Sequence, residues 1–245
     1  MLISLLTALP HGRAVPDELS FAKGEKLDFT LHSHRFGVEL AGENPSLGQL
    51  WDELQNSLSS LTDERIAAEF EAETQTKPQM SLSRTINRVL SHELVHKGWT
   101  GESGIFQDPE YQNERRWRLD FSKVLIDSDS VRRGIAVEVA FNHGEAIAWN
   151  LLKPVLASEL NHVAKQIDIG SGIGVVIAAT ESLKDAGGFD SAVGSFEKFL
   201  TYLKPLQNQL TVPMIIVGLE APKRFRVAKV KDPRTGRNSG QIELL

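Results

Sequence analysis

Two acidic residues, Asp120 and Glu138, stand in a pattern that can hold a divalent cation. Both lie in segments whose apolar and β-branched residues predict strands, and the turn-forming residues 127–130 lie between the segments. The strands of such a hairpin run antiparallel, so the two carboxylates can come close together. Converging carboxylates repel each other unless a cation lies between them, and hard oxygen ligands suit Mg²⁺. The pattern therefore predicts a magnesium site for chemistry on phosphate.

Solvation is the main alternative for these carboxylates, because an acidic residue near a strand end is more often solvated than bound to metal. The composition around Glu138 argues for the metal site. Its neighbours from Ile135 to Phe141 are otherwise all apolar. A carboxylate in such surroundings faces a pocket or needs a partner.

The elements that must position the two carboxylates predict a mixed α/β core. Runs of β-branched residues that alternate with helices are typical of strands covered on both faces. In chain order, we predict one or two strands within residues 18–40, near Gly24 and Gly37; a helix from Pro45 to the polar segment Thr74–Pro78; a helix from about Ser81–Ser83 to Gly98; a loop at Thr100–Arg116; strands at Trp117–Val124 and Gly134–Phe141; a helix from Glu145 to Gln166, bent at Pro154; a strand at Gly174–Thr180; a helix at Ser191–Leu203; and a strand at Met214–Leu219.

Bulk composition limits the class of protein. A chain of 245 residues fits one large domain, or one domain with an appended arm. It has no cysteine, which excludes disulfides and thiolate metal sites and fits a reducing compartment. The apolar runs are too short to span a bilayer, and the N-terminus lacks the basic flank of a secretory signal. We therefore expect a cytoplasmic protein without membrane contact.

Any DNA-binding surface must be local, because the net charge of −5 argues against a protein that coats nucleic acid. The basic run from Lys223 to Arg237, interrupted by the single acid Asp232, supplies such a surface. A solvated tail is the alternative for a run of this kind. The residues that we select as DNA-binding candidates are Lys223, Arg224, Arg226, Lys229 and Arg234.

The order of these features resembles the PD-(D/E)XK nuclease core, in which an acidic residue, a hairpin with a second acid, a long helix, a strand and a helix follow one another. The local sequence resembles the BglII/BamHI-like group of type II restriction endonucleases between about residues 81 and 219. The segments that carry this similarity are INRVLSHELVHKGW, WRLDF, GIAVEVAFNHGEAIAWNLLKPVLASELNHV, GVVIAATESLK and GGFDSAVGSFEKF.

The resemblance implies a fold, a domain division and an activity. The fold would be an α/β restriction endonuclease-like core, with a mixed sheet flanked by helices. A single endonuclease domain, 1–245, would comprise a helical and strand extension at 1–80, the catalytic core at 81–220 and the basic segment at 221–245. The activity would be Mg²⁺-dependent hydrolysis of double-stranded DNA at a short palindromic site by a homodimer.

The resemblance also implies roles for individual residues. Asp120 and Glu138 would be the shared metal ligands. Glu93, on the preceding helix, would be the additional acidic or amide residue that this group places near the metal, and Asn87 is its alternative.

One position departs from the family pattern. Where the motif usually has Lys, or Glu or Gln in this group, this chain has Ala140, which can neither bind metal nor move a proton. We predict that Asn142 substitutes, because on a strand it shares the face of Glu138. The other candidate donors are His143, Lys123 and Lys153. The departure keeps two alternatives open: a less selective or modification-dependent nuclease, and a DNA-binding protein with a decayed site.

Overall fold

A mixed sheet forms the centre of the protein. The computed structural model describes residues 25–159, 163–231, 236 and 238–245. Within these residues the sheet contains β1 (Phe29–His34), β2 (Thr100–Gly104), β3 (Arg118–Ile126), β4 (Arg132–Val139), β5 (Ile173–Ala179) and β6 (Met214–Leu219). Their spatial order is β1-β6-β5-β4-β3-β2. Strand β5 is parallel to both β4 and β6, whereas the β1–β6, β2–β3 and β3–β4 pairs are antiparallel.

Helices cover both faces of this sheet. They are α1 (Gly37–Glu43), α2 (Pro45–Leu58), α3 (Asp63–Thr76), α4 (Ser83–His96), α5 (Pro109–Gln112), α6 (Ile147–Ser158), α7 (Glu181–Ala186) and α8 (Phe196–Leu203). Apolar residues of α2, α3 and α4 pack in one cluster with Val175 and Ile177 of β5. Those of α6 and α8 pack with Val176 and Ala178, which point to the opposite face. The predicted mixed α/β architecture is confirmed.

The central strands are apolar throughout because neither of their faces reaches water. Every residue of β5 and of β6 is buried. This explains why the sequence shows continuous apolar runs there instead of alternation. The predicted strands at Gly174–Thr180 and Met214–Leu219 therefore match the observed ones within one residue.

The predicted helix from Pro45 to the 74–78 segment is in fact two helices. Helix α2 begins at Pro45, and the Asn44 side chain caps it by accepting a hydrogen bond from the Leu47 amide at 3.0 Å. Thr62 caps α3 in the same way, through the amide of Arg65 at 3.2 Å. The prediction merged them because Leu61 continues the apolar spacing across the break.

Three further predicted elements differ from the structure. Of the one or two strands expected within residues 18–40, β1 forms at Phe29–His34, whereas Gly37 lies in the first turn of α1, where a side chain on it would collide with the Met214 backbone. The helix expected at Glu145–Gln166 spans only Ile147–Ser158, with Pro154 inside it. The helix expected from Ser191 begins at Phe196, after the capping residue Ser195. The prediction near Gly24 lies outside the described residues.

The C-terminal basic segment folds into a hairpin and is not a solvated tail. Strands β7 (Phe225–Lys231) and β8 (Asn238–Leu244) pair antiparallel as a separate sheet. Phe225 and Val227 are buried in the core shared with α2, α3 and α4. The amide of Gly240 donates to the carbonyl of Gln79 at 2.6 Å, which ties β8 to the segment before α4. Among the described helices, none is long and apolar enough to span a membrane.

Candidate active site

Asp120 and Glu138 meet at the open end of the β3–β4 hairpin. Phe121 pairs with Val137 in this antiparallel ladder. Asp120 and Glu138 therefore occupy the next positions of the two strands towards the open end. The Asp120 carboxylate (Oδ2) accepts a hydrogen bond from the Val139 amide at 2.6 Å. Its position is thereby fixed against β4, beside Glu138. The structure thus brings the two predicted acids together.

The Glu138 carboxyl group is short of favourable contacts. The residue is only 2% exposed. Its Oε1 atom has no hydrogen-bond partner among the described residues. Burial, together with the charge of Asp120, raises the pKa of Glu138 to about 8. Burial also raises the pKa of Asp120. The ionised forms of both carboxyl groups are therefore poorly stabilised when no cation is bound between them.

Lys153 places a cationic group beside Glu138. It lies on α6, fifteen residues after Glu138, and its Nζ donates to Glu138 Oε2 at 2.6 Å in a buried ion pair. Its charge also acts on Asp120, where it lowers the carboxyl pKa against the larger effect of burial. The sequence named Lys153 only as one of several donors, because a helix residue cannot be placed against a strand without the tertiary fold.

Asn142, the residue that the sequence favoured for this role, lies beyond the end of β4 and therefore does not continue the strand face of Glu138. It is exposed, and its Oδ1 accepts from Asn150 Nδ2 at 3.0 Å. Lys123, another candidate, donates to Glu53 Oε2 at 2.8 Å and to the Lys97 carbonyl at 2.6 Å. His143 is also exposed.

Glu93 is held by cations of its own. Its carboxylate pairs with Arg65 at 2.8 Å and with Lys97 at 3.4 Å. The hydrogen bond from Arg65 is the largest cause of its lowered pKa. Its alternative, Asn87, is exposed on the same helix. The contacts that the structure records for Glu93 therefore connect it to α3 and the end of α4, and not to Asp120.

Glu102 is the acid that approaches Asp120, and the sequence prediction missed it. It lies on β2 between Gly101 and Ser103, which pair with Phe121 and Leu119, so it stands opposite Asp120. Its charge contributes to the raised pKa of Asp120. The backbone at Glu102 has φ of 49°, a left-handed conformation that is strained for a residue with a side chain. The loop predicted at Thr100–Arg116 is wrong at this point, because β2 and α5 lie within it.

The candidate DNA-binding residues of the C-terminal hairpin are mostly occupied by acids. Lys223 pairs with Asp28 at 2.9 Å, Arg224 with Glu25 at 2.5 Å and Arg226 with Glu243 at 2.8 Å. Lys229 is exposed on β7, and Arg234 lies outside the described residues. The ion pairs of this hairpin hold its base against the N-terminal part of the described chain and its two strands together.

The donor set fits a hard divalent cation with few protein ligands. Within the described ranges, no three His, Asp or Glu side chains are grouped closely enough to form a metal site by themselves. Mg²⁺ is ordinarily held by one or two carboxylates while it keeps several waters and takes substrate phosphate oxygens. Two adjacent carboxylates, one with an orphaned buried oxygen, are such a pair.

The raised pKa of Glu138 predicts how stability depends on pH in the metal-free protein. The unfolded carboxyl ionises near 4.5, whereas the folded one keeps its proton to about 8. The native state binds more protons between these values, so the free energy of unfolding falls as pH rises through this window. Glu138→Gln removes that loss, which is on the order of 4 kcal/mol at pH 8. Urea unfolding with a chelator from pH 5 to pH 9 measures it.

Glu110→Gln, at an exposed position of α5, is the matched control and should follow the wild-type curve. Parallel curves for Glu138→Gln and the wild type would show that Glu138 ionises normally in the folded protein.

The architecture of the sheet identifies the class of fold to which this chain belongs. The six-stranded mixed sheet of this chain, with helices on both faces, is of the PD-(D/E)XK nuclease type. The crystal structure of restriction endonuclease BglII complexed with a DNA 16-mer shares this fold, with a TM-score of 0.53 and 18% identity over 89% of this chain and 100% of that one. The crystal structure of free BglII matches with a TM-score of 0.41 and 14% identity over the same shares of the two chains.

The family follows from the sequence match. The family described as restriction endonuclease BglII/BglIII matches residues 29–219. The chain belongs to this family, and it is a type II restriction endonuclease. The predicted fold and enzyme class are thereby confirmed. No curated protein matches the sequence.

Proposed function

We propose that this endonuclease hydrolyses both strands of a short palindromic DNA site with Mg²⁺ held by Asp120 and Glu138. The observation that carries the proposal is the meeting of these two carboxylates with the Lys153 ammonium at one end of the β3–β4 hairpin. Two acids and a lysine are the groups that the PD-(D/E)XK motif names. A decayed site becomes the weaker alternative, because the amine that Ala140 lacks comes from α6.

Each residue of the site has a task in this proposal. Asp120 is oriented by the Val139 amide, and Glu138 by Lys153. When bound, Mg²⁺ activates water and stabilises negative charge on the phosphate in the transition state. Lys153 keeps an amine beside Glu138, where it can hold a proton or donate a hydrogen bond to a phosphate oxygen. Glu102, exposed opposite Asp120, takes the place of the additional acid for which the family resemblance implies Glu93.

The assembly that we propose is a homodimer in the cytoplasm. A palindromic site has two-fold symmetry, and one active site per chain cuts both strands only if two chains bind around that axis. The absence of cysteine from the sequence fits a reducing compartment. We retain Lys229, which is exposed on β7, and Arg234, which lies outside the described residues, as candidate DNA contacts.

The test is digestion of DNA of known sequence by the purified protein in Mg²⁺, followed by sequencing of the fragment ends. The proposal expects discrete fragments whose ends all lie in one short palindrome. A smear would favour a less selective nuclease, for which the net charge of −5 gives little support. Cleavage confined to methylated DNA would favour a modification-dependent enzyme. No cleavage with Mg²⁺ or Mn²⁺ across many DNAs would contradict the proposal.

A further inference from the structure

Three arginines immediately precede Asp120 in the chain. Arg115 and Arg116 lie in a single turn of 3-10 helix at Arg115–Trp117, and Arg118 is the first residue of β3. Arg115 and Arg116 are exposed, and Arg118 is half-buried. We call Arg115, Arg116 and Arg118 the arginine segment. Because a chain advances at most about 3.6 Å per residue, the segment lies within roughly 18 Å of Asp120 along the backbone.

An aromatic cluster holds this segment in place. Trp117 packs edge-on against Trp149 of α6 at 5.1 Å and against Tyr111 of α5 at 5.3 Å, measured between ring centroids. Phe106 also contacts Trp117, at 5.5 Å. The Trp149 indole Nε1 donates to the Arg116 carbonyl at 3.0 Å, so α6 fixes the backbone of the segment directly. The same helix carries Lys153, which ties the segment to the active site.

The charges of this segment are less neutralised than those of the C-terminal hairpin. Arg115 and Arg118 make no ion pair with any residue that the structure describes. Arg118 donates to the Gln112 carbonyl at 2.8 Å, and Arg116 pairs with exposed Glu114. An exposed pair of this kind contributes little and is readily exchanged for another anion. In the C-terminal hairpin, Lys223, Arg224 and Arg226 each make an ion pair with an acid.

We propose that the arginine segment binds backbone phosphates of the DNA duplex next to the bond that is cut. The inference rests on the proposed function, since it takes Asp120 as the point to which the DNA must come. A duplex bound there carries phosphates on both sides of the scissile one, within the distance that separates Asp120 from Arg115. Arginine suits phosphate because its planar guanidinium donates two parallel hydrogen bonds. The segment then positions DNA without reading its sequence.

The experiment measures DNA affinity at several salt concentrations in the Asp120→Asn protein, which keeps the duplex intact. Each phosphate contact contributes about 1 to the slope of log affinity against log salt. Arg115→Ala and Arg118→Ala should each lower the slope by about 1 and weaken binding several-fold, equally for cognate and unrelated duplexes. Lys204→Ala is the control: this exposed cation lies beside β1, at the opposite edge of the sheet, and should leave the slope unchanged.

Two further measurements separate the possible outcomes. Arg115→Lys keeps the charge and should keep the slope, whereas a loss as large as that of the alanine variant would show a structural role and overturn the inference. Unchanged slopes for both alanine variants would overturn it as well. Cleavage by the wild-type protein, which retains Asp120, is assayed in parallel. If the wild-type protein cuts DNA while the arginine variants leave the salt slope unchanged, only the assignment of the arginine segment fails. If it does not cut, the proposed function fails first.

Discussion

Replacing Asp120 with Asn is expected to reduce DNA cleavage by about 10³-fold or more, which corresponds to several kcal/mol of transition-state stabilisation. The physical reason is the loss of an anionic ligand from a site that has only two converging carboxylates on the hairpin. The fold should survive, because the amide oxygen of Asn can still accept the hydrogen bond from the Val139 amide. Single-turnover cleavage with Mg²⁺ measures the effect, and thermal unfolding checks the fold.

The matched control is Asp129→Asn, the same change in the exposed turn at the other end of the β3–β4 hairpin. It should cut DNA at nearly the wild-type rate. Cleavage by the Asp120→Asn protein within a few-fold of wild type would show that Asp120 is not a metal ligand, whatever its position beside Glu138.

Replacing Lys153 with Met is expected to reduce cleavage by about 10²- to 10⁴-fold, the range typical of a group that moves or holds a proton. Methionine has a similar length but no charge, so the packing of α6 is largely kept. The change leaves the buried Glu138 carboxylate without the amine that now contacts it at 2.6 Å. Binding of Mn²⁺, followed by its paramagnetic signal, should persist, because Lys153 is not a ligand.

Asn142→Ala is the comparison that distinguishes the two candidates for the missing motif position. Asn142 contacts Asn150 and not the carboxylates, so we expect its removal to change the cleavage rate by about threefold or less, as is usual for an exposed site. The reverse order, with Asn142→Ala severely impaired and Lys153→Met active, would assign the role to Asn142. A pH–rate profile that is identical for Lys153→Met and wild type would exclude a role in proton transfer.

Much of the fold could be predicted because the signals were local. The runs in β5 and β6 are apolar on both faces, and the hairpin strands β3 and β4 are separated by a turn rich in Asp and Ser. Strand β2 had no such signal. It is short, exposed and rich in glycine, and its strand conformation depends on pairing with β3. The break between α2 and α3 was not predicted, because the apolar spacing continues across it and indicates one helix. The capping residue Thr62 is a local signal for a new helix start.

The site was predictable where it lies on one hairpin and not where it combines distant segments. Asp120 and Glu138 share adjacent strands, so strand pairing alone predicts their approach. Lys153 reaches Glu138 only because α6 crosses back over the sheet after β4. Glu102 stands opposite Asp120 only because β2 joins the edge of that sheet. The hydrophobic periodicity of the sequence predicts neither of these two contacts, because both depend on how whole helices and strands pack against each other.

The central claim is that the Asp120 and Glu138 carboxylates together hold one divalent cation. Anomalous scattering from crystals soaked in Mn²⁺, which takes the place of Mg²⁺ and can be located by its own signal, examines this directly. We expect one peak per chain within coordination distance of both carboxylates, with the orphaned Oε1 of Glu138 turned towards it. A peak bound by other residues, or Asp120 and Glu138 left in their present contacts at saturating Mn²⁺, would contradict the claim.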